Sequence, residues 1–352
     1  MKKFTISTEK PYDVIIGEGL LADTGRYLRA LFTPRKVCVI TDSTVNALFG
    51  KTVSDSLRDS GFQVSTVKFP AGEHSKTLTT YGNILEAMAE DAITRTDLVL
   101  ALGGGVVGDM AGFAAGTYLR GVDYVQVPTT IIAATDAAIG GKTGIDILGG
   151  KNLAGLFWQP RLVLCDYSTF DTLPVQRFND GVAEVVKNAV VSDANLISHI
   201  RDKRYEYVLE RCISIKRSLV EADERDTGLR QLLNFGHTIG HGIEKLSAYK
   251  ESHGQAVAKG MVAEARGAYL AGYTGNDISG ELAGILESFG LDTSLGYDPE
   301  EIFRLARMDK KIRNGKINMI IPEAIGRCSL RKLTLDELRT FIWLGLTGSR
   351  PS

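Results

Sequence analysis

The chain has almost no net charge. Its 41 Lys and Arg nearly balance 42 Asp and Glu, for a formal −1 at pH 7. No global field draws it to nucleic acid or to an anionic membrane, so neither is expected as a partner. Any anionic substrate has to be met by a local cluster of cations. Cysteine is scarce and scattered: Cys38, Cys165, Cys212 and Cys328 form no CxxC pair. Cys38 and Cys165 sit in apolar runs. That pattern fits reduced, buried thiols and a cytoplasmic protein. No run is long and apolar enough for a signal peptide or a membrane span. Repeats, low-complexity tracts and charge blocks are also missing.

What is present is an ordinary globular composition, 44% hydrophobic and 24% charged, rich in glycine at 38 of 352 residues. That length suggests two domains, or one very large one. Residues 3–7 and 12–16 read as short strands, and 19–31 as helical. An apolar, β-branched run at 36–41 reads as a buried strand, with Asp42 or Ser43 capping a helix to about 60. Strand, helix and strand repeat at 63–69, 77–91 and 97–102, and two more strands follow at 125–128 and 161–165. This alternation indicates a parallel sheet with crossover helices. After Pro174 the character changes, and helical patterns dominate 176–300. A small hairpin is expected at 316–321 and 328–332, then a last helix at 334–344. The expected fold is an α/β domain with a parallel nucleotide-binding sheet over 1–170 and a mainly α-helical metal- and substrate-binding domain over 171–352.

Ligands of such sheets bind beyond the carboxyl ends of the strands. Three polar or glycine-rich segments lie there: Thr41-Asp42, the segment 70–76 with Glu73 and Lys76, and Gly103-Gly104-Gly105 leading to Gly108-Asp109. The triple glycine lets backbone N–H groups approach a pyrophosphate at the start of a helix. It is not the Gly-x-Gly-x-x-Gly fingerprint. Glu73 and Lys76 read as exposed loop residues. Lys142 follows Gly140-Gly141, and Lys151-Asn152 follows Gly149-Gly150. Lysines placed after glycine turns suit a phosphate.

The densest chemistry lies at 230–253, which holds three of the five histidines. Arg230, Asn234, His237 and His241 fall at offsets 0, 4, 7 and 11, one face of a single helix. Leu232, Leu233, Phe235, Ile239 and Ile243 would bury the other side. Two histidines at i, i+4 suggest a metal pair, but the glutamate of a His-Glu-x-x-His protease is missing. Spacing leaves open which two of His237, His241 and His253 bind metal. His253, at the start of a helix, is expected neutral because the helix dipole disfavours imidazolium there. Glu184 and Lys187, at i and i+3, form a pair on an earlier helix. Together these features suggest metal-assisted redox chemistry on a phosphorylated or carboxylated polyol, with a nicotinamide accepting hydride.

Several ordered motifs carry a resemblance over about residues 36–327. They are 103–113, Tyr118-Leu119-Arg120, Pro128-Thr129-Thr130, Asp136 with 140–144, Gly150-Lys151-Asn152, 183–187, 230–244, His253-Gly254 and Asp309-Lys310-Lys311. In these the chain resembles the 3-dehydroquinate synthase family of sugar phosphate cyclases. The resemblance implies an active site between an NAD-binding domain and a helical domain, in a homodimer. It implies conversion of 3-deoxy-D-arabino-heptulosonate 7-phosphate to 3-dehydroquinate and phosphate. The order implied is transient NAD-dependent oxidation, phosphate elimination, reduction and intramolecular aldol closure. Carried over by position, Glu184, His237 and His253 hold a divalent metal, Zn or Co, and His241 faces the substrate. Lys142, Asn152, Lys310 or Lys311, and Arg120 from the neighbouring subunit, face the phosphate. Arg230, Asn234 and Lys216 hold the carboxylate and hydroxyl end, and Asp136 and Lys187 complete the pocket. Asp42, Glu73, Lys76, Gly103, Gly104, Gly105, Asp109, Thr129, Thr130, Lys151 and Thr172 contact NAD. Competing readings are another sugar phosphate cyclase, or a metal-dependent polyol dehydrogenase of the glycerol dehydrogenase type.

Overall fold

Runs such as Leu98-Val-Leu-Ala-Leu102 have no polar face, so their strands must be covered on both sides. The computed structural model describes residues 1–226, 228–248, 250–307, 312 and 314–351, in two units, Met1–Leu173 and Pro174–Ser352.

The first unit runs β1 (Lys2–Ile6), β2 (Tyr12–Gly17), α1 (Thr24–Arg29), β3 (Lys36–Asp42), α2 (Ser43–Val45), α3 (Lys51–Asp59), β4 (Gln63–Phe69), α4 (Leu78–Glu90), β5 (Leu98–Gly103), α5 (Gly105–Thr117), β6 (Asp123–Pro128), β7 (Lys142–Ile147), β8 (Gly150–Phe157) and β9 (Leu162–Asp166). Seven strands form one sheet in the order β1-β2-β9-β6-β5-β3-β4, parallel except for β1 against β2. Side chains alternate between its faces. Val37 and Val39 pack with Leu28, Val53 and Leu57, from α1 and α3. Cys38 and Ile40 pack with Ile84 and Met88 of α4 and Met110, Ala111 and Ala114 of α5. β3 bonds β4 on one side and β5 on the other. The strand order therefore reverses at β3, the kind of switch point where α/β sheets open a ligand crevice. Asp42 ends one of these strands, and the triple glycine follows the other.

β7 and β8, an antiparallel hairpin outside the main sheet, were not expected. Glycine lowers strand propensity, so this stretch reads as loop. Here its glycines allow close pairing: a Cβ on Gly155 would lie 2.1 Å from Thr143 O, and one on Gly144 would lie 2.6 Å from Ala154 O. Lys142, Lys151 and Asn152 therefore sit on strands, not in glycine turns.

The second unit contains α6 (Val175–Val191), α7 (Leu196–Arg201), α8 (Tyr205–Ala222), α9 (His237–Leu246), α10 (His253–Leu270), α11 (Ser279–Glu287), α12 (Pro299–Ala306), the hairpin β10 (Lys316–Ala324) and β11 (Arg327–Thr334), and α13 (Leu335–Thr347). Two expected helices are broken. The 279–310 pattern is split by 288–298, where Gly290 turns left-handed (φ 75°) and Asp298 caps a helix opening on Pro299. More consequentially, 230–244 is not one helix. Leu229–Asn234 is a 3-10 turn, Phe235 is extended (φ −55°, ψ 130°), and Gly236 is left-handed (φ 78°) before α9 begins. Arg230 and Asn234 therefore do not share a helical face with His237 and His241.

Candidate active site

Two glycine crossings assemble the histidine cluster. A Cβ on Gly254 would lie 2.3 Å from Asp180 Cα, so α6 and α10 touch backbone to backbone. A Cβ on Gly260 would lie 2.0 Å from Gly236 O and 2.8 Å from Gly240 N, so α9 meets α10 just as closely. The first crossing brings Glu184, about one turn beyond Asp180, to His253 at the start of α10. The second brings His237 at the start of α9. His237 Nε2 lies 3.4 Å and His253 Nε2 3.2 Å from the same oxygen, Glu184 Oε1. The ring of His241 stands 5.3 Å from that of His237 and 6.3 Å from that of His253.

The Glu184 end of the cluster is buried and strongly polarised. Glu184 is 1% exposed, and its Oε2 lies 2.5 Å from Lys187 Nζ, itself 1% exposed. Burial opposes ionisation of Glu184, but Lys187, His237 and His253 outweigh it and hold the carboxyl well below its usual range. Burial lowers His237. His237 Nδ1 hydrogen-bonds the Phe235 carbonyl at 3.0 Å, which in the neutral ring fixes the proton on Nδ1 and leaves Nε2, on the Glu184 side, free to bind a cation. His253 departs from expectation. Burial pulls its pKa down, but hydrogen bonds to Glu184 and Glu244 outweigh that and push it up to about 10. Two nearby carboxylates outweigh a helix dipole worth a fraction of a kcal/mol to ~2 kcal/mol. Glu184, His237 and His253 each offer a ligand atom, all within 4.8 Å of one another. Two imidazole nitrogens and a carboxylate oxygen are a donor set suited to a divalent ion with open positions.

Sequence reasoning missed the residues that hold these ligands in place. Glu264, fully buried on α10, accepts hydrogen bonds from Gly236 N at 2.8 Å and Ile239 N at 3.4 Å. It thereby supplies, from another helix, the N-terminal cap that α9 lacks locally. Asp180 accepts from Ser252 Oγ, the residue before His253. Glu244 lies 3.4 Å from His253 Nδ1. Glu244 follows His237 by seven residues and His241 by three, and that spacing was the available signal for it.

Two other predicted residues of this unit are also buried. Lys216 on α8 is 5% exposed and Arg230 is 2% exposed, with Arg230 Nη1 donating to the Glu224 carbonyl at 2.7 Å. Asn234 Nδ2 donates to Gln231 O. Lys310 and Lys311 lie outside the described residues.

In the first unit, Lys76 is not an exposed loop lysine. It is 4% exposed, and its Nζ lies 2.5 Å from both Asp109 Oδ2 and Asn152 Oδ1. Burial alone would lower its pKa, but Asp109 and Glu73 raise it. Lys151 pairs with Glu73 at 3.4 Å. Asn152, left-handed at φ 55°, is pinned by Asp146 accepting from its backbone N–H. The structure thus joins Glu73, Lys76, Asp109, Lys151 and Asn152 in one network. Asp42 Oδ1 caps α2 by accepting from Thr44 N and Val45 N. Gly103 ends β5 and Gly105 opens α5, with Gly104 against Thr130 between them. Thr129 is buried and its Oγ1 has no hydrogen-bond partner among the described residues. Thr172 Oγ1 donates to Thr169 O, at the end of the first unit. Asp136 lies in a wide helical turn, Ala133–Ala137, and Arg120 in an exposed left-handed turn with Leu119.

Profiles of the 3-dehydroquinate synthase N-terminal and C-terminal regions match residues 66–180 and 181–312. The chain belongs to the 3-dehydroquinate synthase family. A 3-dehydroquinate synthase from Enterococcus faecalis is 41% identical over 341 residues, 94% of this chain and 95% of the relative. Among solved structures, 2-deoxy-scyllo-inosose synthase complexed with carbaglucose-6-phosphate, NAD+ and Co2+ superposes with a TM-score of 0.85. It is 26% identical, covering 97% of this chain and 99% of that one. A 2-epi-5-epi-valiolone synthase from Streptomyces hygroscopicus, with NAD+ and Zn2+ bound, has a TM-score of 0.85 at 27% identity, covering 96% and 97%. The family's two halves thus meet, in sequence, near the boundary between the two structural units.

Proposed function

We propose that the chain converts 3-deoxy-D-arabino-heptulosonate 7-phosphate to 3-dehydroquinate and inorganic phosphate, using NAD and a divalent metal, Zn or Co. The observation that carries this reading is the convergence of His237 Nε2 and His253 Nε2 on Glu184 Oε1, with Lys187 beside it. When bound, the metal would polarise the oxygen that gathers charge, and NAD would accept and return a hydride. Lys187 keeps Glu184 ionised. The Phe235 carbonyl keeps His237 in the tautomer a ligand needs. His241 stands beside the two ligand rings, where it can meet a substrate oxygen. Lys216, Arg230 and Asn234 are assigned to the carboxylate and hydroxyl end, and Asp136 to the same pocket. Lys142, Asn152, Arg120 and Lys310 or Lys311 are assigned to the phosphate. The Lys76–Asp109–Asn152 network supports this by fixing the side chain of Asn152. Gly103, Gly104 and Gly105, at the mouth of α5, suit the NAD pyrophosphate, with Asp42, Glu73, Lys76, Asp109, Thr129, Thr130, Lys151 and Thr172 as further contacts.

We also assign the protein to the cytoplasm, as a homodimer in which Arg120 serves the partner's site. The exposed turn at Leu119 and Arg120 (φ 51° and 68°) supports this: two adjacent strained residues are the kind of local cost that collects at functional positions. A polyol dehydrogenase is disfavoured, because both halves of the chain match the synthase. With substrate, NAD and Zn2+ or Co2+, we expect inorganic phosphate to be released at a rate that collapses on EDTA treatment, with no net NADH. Stoichiometric accumulation of NADH, or no phosphate, would overturn the reading.

A further inference from the structure

His253 is shared by two carboxylates. Its Nε2 faces Glu184 Oε1 at 3.2 Å and its Nδ1 faces Glu244 Oε1 at 3.4 Å. His241, Glu244 and His253 also bring ligand atoms within 4.8 Å of one another, so the cluster offers two triads that share one ring. One imidazole cannot give both nitrogens to cations unless it loses both protons. One carboxylate must therefore be a ligand and the other an acceptor of N–H. Glu184 receives the Nε2 atoms of two histidines on a single oxygen, which marks it as the ligand. Glu244, 2% exposed, faces the far side of the His253 ring.

We propose that Glu244 is a positioning residue for the metal centre: its carboxylate holds the proton on His253 Nδ1, so that Nε2 faces the cation as a lone pair. The inference rests on the metal reading above. It makes the two ligand histidines unequal. His237 donates Nδ1–H to a neutral carbonyl, that of Phe235, and His253 donates to a charged carboxylate. A carboxylate partner makes the imidazole the more basic ligand, and loss of such partners typically weakens metal binding about 10–100-fold. Glutamine at 244 keeps the shape but removes the charge, and its amide can turn a donor toward Nδ1 and so favour the wrong tautomer.

The test uses the full chain stripped with EDTA and titrated with Co2+, without NAD or substrate. Affinity is read from the cobalt absorption bands, and 15N spectra of labelled histidine are read in the Zn2+ form. The unaltered chain should bind one Co2+ and show His253 protonated at Nδ1. Glu244→Gln should bind about 10–100-fold more weakly, with altered cobalt bands. Glu244→Asp, which keeps the charge, should recover part of the loss. Failure of the unaltered chain to bind Co2+ would overturn the metal reading itself. Binding by the unaltered chain with His253 unprotonated at Nδ1 would overturn this inference alone, as would equal Co2+ affinity in a folded Glu244→Gln. If Glu244→Gln does not fold, the 15N spectrum of the unaltered chain still decides the matter.

Discussion

Replacing His237 with alanine should strip the protein of its metal and cut phosphate release by about a thousandfold. Lewis-acid stabilisation of developing charge is worth several kcal/mol, and each 1.36 kcal/mol is tenfold in rate. His237 opens α9 and is 9% exposed, with Nε2 3.4 Å from Glu184 Oε1. His241, one turn on, is exposed, and its ring stands edge-on to that of His237 at 5.3 Å. His241→Ala should therefore keep a full complement of metal while losing turnover. Metal analysis of the two purified variants separates the roles. Metal retained in His237→Ala, or lost from His241→Ala, would reverse the assignment.

Gly260→Ala should destabilise the second unit strongly, against the direction helix propensity predicts. Alanine is favoured over glycine inside a helix by roughly 1 kcal/mol. At position 260 the new Cβ would fall 2.0 Å from Gly236 O and 2.8 Å from Gly240 N, backbone atoms with no rotamer to change. Overpacking costs typically about 1–3 kcal/mol and occasionally more. Here it must push α9 away from α10, which puts the cost at the top of that range, so after the gain in propensity we expect a net loss of about 2 kcal/mol, seen as a fall of several degrees in unfolding temperature. The same displacement separates His237 from His253, so metal affinity should fall as well. Gly284→Ala is the control. It lies exposed in α11 with no atom within 4 Å of its Cβ, and it should stabilise slightly. An unchanged unfolding temperature in Gly260→Ala would mean that the two helices do not depend on their backbone contact.

The sheet strands were legible because their apolar runs can be nothing else in a chain that alternates strand and helix. The triple glycine after β5 was legible for the same reason. The β7–β8 hairpin was not, because glycines needed for close pairing look like loop when seen one strand at a time. Lys76 read as exposed because lone lysines usually are, yet its partners Asp109 and Asn152 lie 33 and 76 residues away. The stripe 230–241 matched a helical period, but Gly236 turns left-handed and ends the match. Periodicity sees neighbours on one element. The Glu184–His253 contact spans 69 residues and three helices supply the ligand triad, so spacing could not assign it. Family resemblance named its members, and the glycine crossings give the physical reason they meet.

Those crossings tie catalysis to survival of the fold. The three ligand atoms come from α6, α9 and α10, and no unfolded chain holds them together. A cation that binds only the assembled set adds free energy to the native state by mass action, about 2.7 kcal/mol when its concentration is a hundred times its dissociation constant. For a marginally stable protein that increment changes the fraction open to proteases. Scarcity of metal would then reduce the number of enzyme molecules as well as their speed, and the supply of the ion would act as a control on abundance.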